Sequence, residues 1–131
     1  MKFVAITENH LYAKAYAKGK RAVSGTVVVY VLRDYAARRL RDAHPQKCFV
    51  NRIGLTVSKK LGEAVERNRA KRVLREAMRA VMASPGVKTG YLVVLAARER
   101  ATLAKSTEVE RDLRAALDKL GMLLDGRDGV S

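Results

Sequence analysis

Val57-Ser58-Lys59-Lys60-Leu61-Gly62-Glu63-Ala64-Val65-Glu66-Arg67-Asn68-Arg69-Ala70-Lys71-Arg72-Val73-Leu74-Arg75-Glu76 runs on through Ala77-Met78-Arg79-Ala80-Val81-Met82-Ala83 to a stop at Ser84-Pro85-Gly86. At about 100° per residue, Val73, Leu74, Ala77, Met78, Val81 and Met82 share one helical face, and Asn68, Lys71, Arg72, Arg75 and Arg79 fall on the opposite one. The spacing predicts a helix from about Val65 to Ala83 that docks with its apolar face and turns a row of cations to solvent. Beyond it, Tyr91-Leu92-Val93-Val94-Leu95-Ala96-Ala97 is a continuous apolar run, the pattern of a strand covered on both faces. Before it, Lys47 to Ser58 reads as a second long strand, through Cys48-Phe49-Val50 and Ile53-Gly54-Leu55-Thr56-Val57. The segment from Val57 to Tyr91 is therefore strand–helix–strand and suits a parallel crossover whose hand the pattern leaves open.

Working outward, Thr7 to Lys18 reads as a short helix with Thr7 or Asn9 as N-cap and Gly19 as its stop. Thr26 to Leu32 is a strand by length and β-branching, extended backwards by a short piece around Arg21 to Ser24. Residues 34–46, with Pro45 among them, read as an inserted loop. Ser106 to Leu120 gives the last helix, capped by Ser106 or Thr107, with Val109, Leu113, Ala116, Leu117 and Leu120 inward. Residues 122–131 read as a flexible tail. The order helix–strands–helix–strand–helix predicts an α+β fold, a two-layer α/β sandwich on a mixed sheet of about four strands. The chain is expected to form a single domain over 1–131, with its core at about 8–120.

Lys and Arg number 27 against 13 Asp and Glu, a formal charge of +14 over 131 residues. Solubility needs far less, so the excess points to a polyanion, and to nucleic acid before a membrane surface. Cys48 is the only cysteine, which excludes an internal disulfide and any Cys-based metal cluster; its reading is a buried thiol in a strand. Met1 to Ile6 is too short an apolar run for a signal peptide, and nothing approaches the ~20 apolar residues of a membrane span. A cytoplasmic protein is expected.

Autonomous catalysis finds little support. The acids are dispersed: Glu63 and Glu66 flank the basic turn, Asp34 and Asp42 lie in the loop, and Glu108, Glu110 and Asp112 open the last helix, where its dipole suits them. His10 and His44 are the available acid–base pair, each in a polar surface segment. Binding chemistry is richer. Lys59 and Lys60 precede Arg67-Asn68-Arg69 at a helix N-terminus, where backbone N–H groups favour an anion and arginine adds planar forks matched to phosphate. Asn68 carries both donor and acceptor and suits a base, a 2′-hydroxyl or a water. Tyr12 and Tyr16, four apart on one helix, and Tyr30 on a strand are either core rings with hydroxyls at the edge or a stacking surface for unpaired bases.

The run Ser58-Lys59-Lys60-x-Gly62-x-Ala64-Val65-x-Arg67-Asn68-Arg69-x-Lys71-Arg72-x-x-Arg75-Glu76 resembles the protein subunit of bacterial ribonuclease P. Tyr12-x3-Tyr16-x2-Gly19, Val23-Ser24, the strand to Tyr30, Tyr91 to Arg98 and Glu108 to Leu117 extend the likeness over roughly residues 8 to 120. The resemblance implies a subunit that binds a catalytic RNA through Lys59, Lys60, Arg67, Asn68, Arg69, Lys71, Arg72, Arg75 and Arg79. It implies that Tyr12, Tyr16, Tyr30 and Asn68 hold the 5′ leader of precursor tRNA in a cleft between the first helix and the sheet. The RNA, with magnesium, then cleaves the leader; no cofactor is expected on the protein alone and no obligate protein partner is evident. The implied fold, shared with the second domain of ribosomal protein S5, contains a left-handed crossover against the usual preference. Both first-helix aromatics are Tyr here where the family commonly has Phe, and the 33–46 connection is longer than usual. Two rival readings are a ribosomal-type structural RNA-binding protein and a nuclease using His10 or His44 without RNA.

Overall fold

The computed structural model describes residues 4–6, 9–34, 51–83, 86–88 and 90–124. The elements are β1 (Val4–Ala5), α1 (Asn9–Lys18), β2 (Lys20–Val23), β3 (Val27–Arg33), β4 (Arg52–Thr56), a 3-10 turn (Lys59–Leu61), α2 (Ala64–Ala83), β5 (Tyr91–Ala97), a second 3-10 turn (Glu99–Thr102) and α3 (Ser106–Lys119). Expectations for Thr7, His44, Cys48 and most of the 34–46 insertion fall outside these residues.

Branched and apolar side chains make β3 and β5 the longest strands, and they pair antiparallel along their whole length, from Val27 opposite Ala97 to Arg33 opposite Tyr91. On its other side β5 pairs parallel with β4, from Arg52 opposite Leu92 to Thr56 opposite Ala96. β4–α2–β5 is thus the parallel crossover expected from the pattern. The sheet order is β1-β4-β5-β3-β2, with the two-residue β1 as a short fifth strand parallel to β4. The piece before β3 does not extend that strand. Ser24-Gly25-Thr26 turns the chain, so β2 folds back on β3 as a hairpin, with Ser24 donating to the Val27 carbonyl from both N and Oγ.

Alternation along the strands divides the interior in two. Val27, Val29, Ile53, Val93 and Leu95 face α2 and α3, meeting Leu74, Met78, Val81, Leu113 and Leu117. This is the sandwich. All six residues assigned to the apolar face of α2 are buried, with Ala70 added at its start. On the opposite sheet face, Leu92 and Val94 pack with Ile6, Leu11 and Ala15, and with half-buried Tyr12, Tyr30 and Leu32. Among the described helices, α1 is the one that lies across that face.

Three features differ from the sequence reading. Asp34, placed in the loop, is 2% exposed and receives both Nε (2.6 Å) and Nη2 (2.8 Å) of Arg52. It spans β5, because Arg52 lies opposite Leu92 while the Asp34 N–H donates to the Gly90 carbonyl. Residues 122–124, assigned to the tail, are held: Met122 and Leu123 are buried, Leu123 bridges to Val87, and the Leu124 N–H donates to the Gly86 carbonyl. α3 begins at Ser106 with Lys105 as N-cap and no side-chain cap. Its acids have partners: Glu108 with Arg100 at 2.8 Å, Glu110 with Arg114 at 2.8 Å, and Asp112 accepting from Thr26 Oγ1 at 2.9 Å. No described helix is long and apolar enough to cross a membrane.

A buried carboxylate with a forked arginine is expensive to break from one side. Asp34→Asn should lower stability by about 3 kcal/mol in urea denaturation, because the Arg52 guanidinium loses its counter-charge.

Candidate nucleic-acid interface

β4 ends at Thr56, and the lead-in to α2 is a tight, polar turn. Ser58 Oγ accepts from the Lys60 N–H at 3.2 Å and the Ser58 carbonyl accepts from Leu61 N–H at 3.0 Å, which leaves Lys59 and Lys60 exposed. Gly62 closes the turn at φ 135°, a conformation that side chains beyond glycine rarely adopt. α2 then presents Asn68, Lys71, Arg72, Arg75 and Arg79 to solvent. None of the four cations among them has an ion pair with a described residue.

The other two arginines of the motif are half-buried and differ from each other. Arg69 donates from Nη1 to the Thr102 carbonyl at 2.9 Å, bracing the 3-10 turn that follows β5. Thr102 Oγ1 in turn donates to the Glu99 carbonyl at 2.8 Å. Arg69 therefore has a structural duty that the motif does not reveal. Among the described residues, Arg67 Nε is enclosed and has no hydrogen-bond acceptor. An enclosed donor without a partner costs about 1–3 kcal/mol, a cost that an anionic acceptor removes.

On the other sheet face, α1 leaves a row uncovered. Val23, Val28, Ala96 and Thr56 are cross-strand neighbours on β2, β3, β5 and β4, and Val23 is 46% exposed. Tyr16 and Tyr30 border this row with rings at 4.7 Å, edge to face, and Tyr16 OH donates to Thr56 Oγ1 at 3.0 Å. Tyr12 is placed differently. Its ring lies against β4 at Gly54, where a Cβ would meet Tyr12 Cε1 at 2.5 Å. Burial raises the Tyr12 hydroxyl above the ordinary tyrosine value, helped by Tyr16 and opposed by a hydrogen bond with the Leu55 backbone. Of the three rings, Tyr16 and Tyr30 edge the open surface, and Tyr12 wedges α1 against the sheet.

This pairing of a solvent-facing cationic helix with an aromatic-edged, half-covered sheet has close counterparts among known proteins. The ribonuclease P family profile matches residues 1–121. The chain belongs to the ribonuclease P protein family. Two ribonuclease P protein components of Dehalococcoides mccartyi strains are similar to it. One is 42% identical over 89 residues, covering 68% of this chain and 71% of that protein; the other is 34% identical over 118 residues, covering 90% and 85%. The Staphylococcus aureus RNase P protein structure superposes with a TM-score of 0.71 at 25% identity, covering 95% of this chain and all of that one. The Thermotoga maritima RNase P protein, at 20% identity and TM-score 0.61 over 79% of this chain and 86% of that one, shares the fold.

Several residues that build this candidate interface escape the motif. Gly54, Thr56 and Thr102 act by contact across the sheet or between elements, and only Gly54 leaves a trace, as a glycine inside a strand pattern. Arg98 fixes the β2–β3 turn through Nη1 to the Ser24 carbonyl at 2.8 Å. His10 is exposed on α1, and among the described residues no three His, Cys, Asp or Glu side chains converge.

Gly54→Ala should destabilise the protein by about 1–3 kcal/mol in urea denaturation, and much of that loss should disappear in a Tyr12→Ala background. The Tyr12 hydroxyl also sets a sign. Its folded value lies above its unfolded one, so its contribution is fully present below about pH 10. It fades as pH rises through the raised value, and Tyr12→Phe should flatten that alkaline loss of stability.

Proposed function

We propose that this chain is the accessory RNA-binding subunit of ribonuclease P, gripping the catalytic RNA with α2 and the 5′ leader of precursor tRNA with the open sheet face. The observation that carries the reading is the α2 row: Asn68, Lys71, Arg72, Arg75 and Arg79 exposed together, without ion pairs to described residues, on a helix whose other face is wholly buried. Cations left unneutralised on a rigid helix repel one another until phosphates replace their counterions. Lys59 and Lys60 extend the same surface to the start of the helix.

Tyr16 and Tyr30 suit unpaired bases, since an aromatic edge beside a shallow apolar row stacks them without reading sequence. That tolerance fits leaders of differing sequence. Asn68 adds a donor and an acceptor for the RNA, while Tyr12, wedged against Gly54, holds α1 to the sheet. In this reading the bond is broken by the RNA with its magnesium, in the cytoplasm where precursor tRNA is made, and the protein screens phosphate repulsion and positions the leader.

Arg72→Gln with Arg75→Gln and Arg79→Gln should lower the salt dependence of assembly with catalytic RNA by about 2–3 in log K against log salt, measured by filter binding. An unchanged slope removes the role assigned to α2. Tyr16→Ala should weaken binding of precursor tRNA to the reconstituted holoenzyme by about 1–3 kcal/mol and leave mature tRNA unaffected. Equal losses for both would place the tyrosine in folding instead.

A further inference from the structure

At the far end of the sheet from the start of α2, a cleft of about 430 Å³ gathers Lys18, Lys20, Arg33 and Lys88 over a floor that includes Tyr91 and Met122. The four cations come from four separate places: the end of α1, the start of β2, the end of β3 and the segment before β5. Their backbone positions are fixed by pairing. Lys20 lies opposite Val31, Arg33 lies opposite Tyr91, and the Lys88 N–H donates to the Met122 carbonyl at 2.8 Å. All four are exposed, and none has an ion pair with a described residue.

No described carboxylate lines the cleft. Asp34, the neighbour of Arg33 in sequence, is buried against Arg52. Lys18 offsets the negative end of the α1 dipole, an ordinary use of a lysine there. Lys20, Arg33 and Lys88 lie on strands and a loop, where no helix end accounts for them. Like charges converging on one recess repel one another, and they are stabilised by a ligand that brings several negative charges at once.

The two basic ends are separated by the length of β5. Arg33 pairs at its first residue, Tyr91, while Arg69 is anchored at Thr102, past its last residue, Ala97. At about 3.3 Å per strand residue the gap is roughly 20 Å, so a phosphate in the cleft is remote from one on α2. We propose that the cleft is a second RNA site, taking the phosphodiester backbone of a single RNA strand with a sugar or base against Tyr91. The site shares no residue with α2 or the sheet face, so it stands or falls separately from the function proposed above.

The test uses the full chain with Arg72, Arg75 and Arg79 changed to Gln, which removes three of the four cations of the α2 row, and a short oligouridylate as probe. Binding is followed by fluorescence anisotropy across a salt series. Adding Lys20→Gln, Arg33→Gln and Lys88→Gln should reduce the slope of log K against log salt by about 2. A control with the same charge loss elsewhere, Lys14→Gln, Lys105→Gln and Arg111→Gln, should leave the slope nearly unchanged. An unchanged slope in the cleft variant, or an equal fall in the control, overturns the proposal. Amide shifts at Tyr91 and Gly121 in the protein with its cleft intact give a second reading that needs no cleft substitution. If those amides fail to move as oligouridylate is added, the proposal fails.

Discussion

β5 is the strand to which every functional element is referred. It is hydrogen-bonded on both edges, antiparallel to β3 and parallel to β4, and buried on both faces from Leu92 to Leu95. Val93 and Leu95 carry α2 and α3, while Leu92 and Val94 carry α1. A strand satisfied on all sides has no freedom to slip, because a shift of one residue would exchange its two faces. The separation between the cationic helix and the aromatic edge is therefore set by the thickness of one sheet. Asp34 and Arg52, clasping across the start of β5, and Arg69, bracing the turn just beyond its end, pin it at both ends.

The charge distribution follows a division of labour. Arg52 meets the buried Asp34 and ties β4 to the end of β3, while Arg100 and Arg114 meet Glu108 and Glu110 at the surface of α3. The cations of the α2 face meet no acid among the described residues, and they add self-repulsion to a chain already at +14. Such an arrangement opposes folding slightly and favours association with a polyanion strongly. Arg69 belongs to both groups: one N–H of its guanidinium is committed to Thr102, which also fixes the direction in which the remaining donors point.

Much of this was legible beforehand where periodicity speaks. The buried face of α2 matched its wheel position by position, and β5 matched its apolar run at both ends. The β2–β3 hairpin is hard to read because β2, Lys20-Arg21-Ala22-Val23, has only Val23 branched at Cβ and no apolar alternation of its own. Asp34 looked like a loop residue because a lone acid carries no pattern; only the register of β4 brings Arg52 to it. The tyrosines were ambiguous between core and surface, and the structure divided them: Tyr12 against Gly54, Tyr16 and Tyr30 at the open edge.

By itself the sequence determined which side of each helix and strand is apolar, where the cations cluster, and that the long basic motif suits a polyanion. These are properties of residue order at fixed period, and they survive without any tertiary contact. Tertiary structure alone decided which cations pair with acids among the described residues, that α1 covers only part of one sheet face, and that Lys18, Lys20, Arg33 and Lys88 share a recess. Those outcomes depend on strand register and on residues far apart in the chain, which no local spacing encodes.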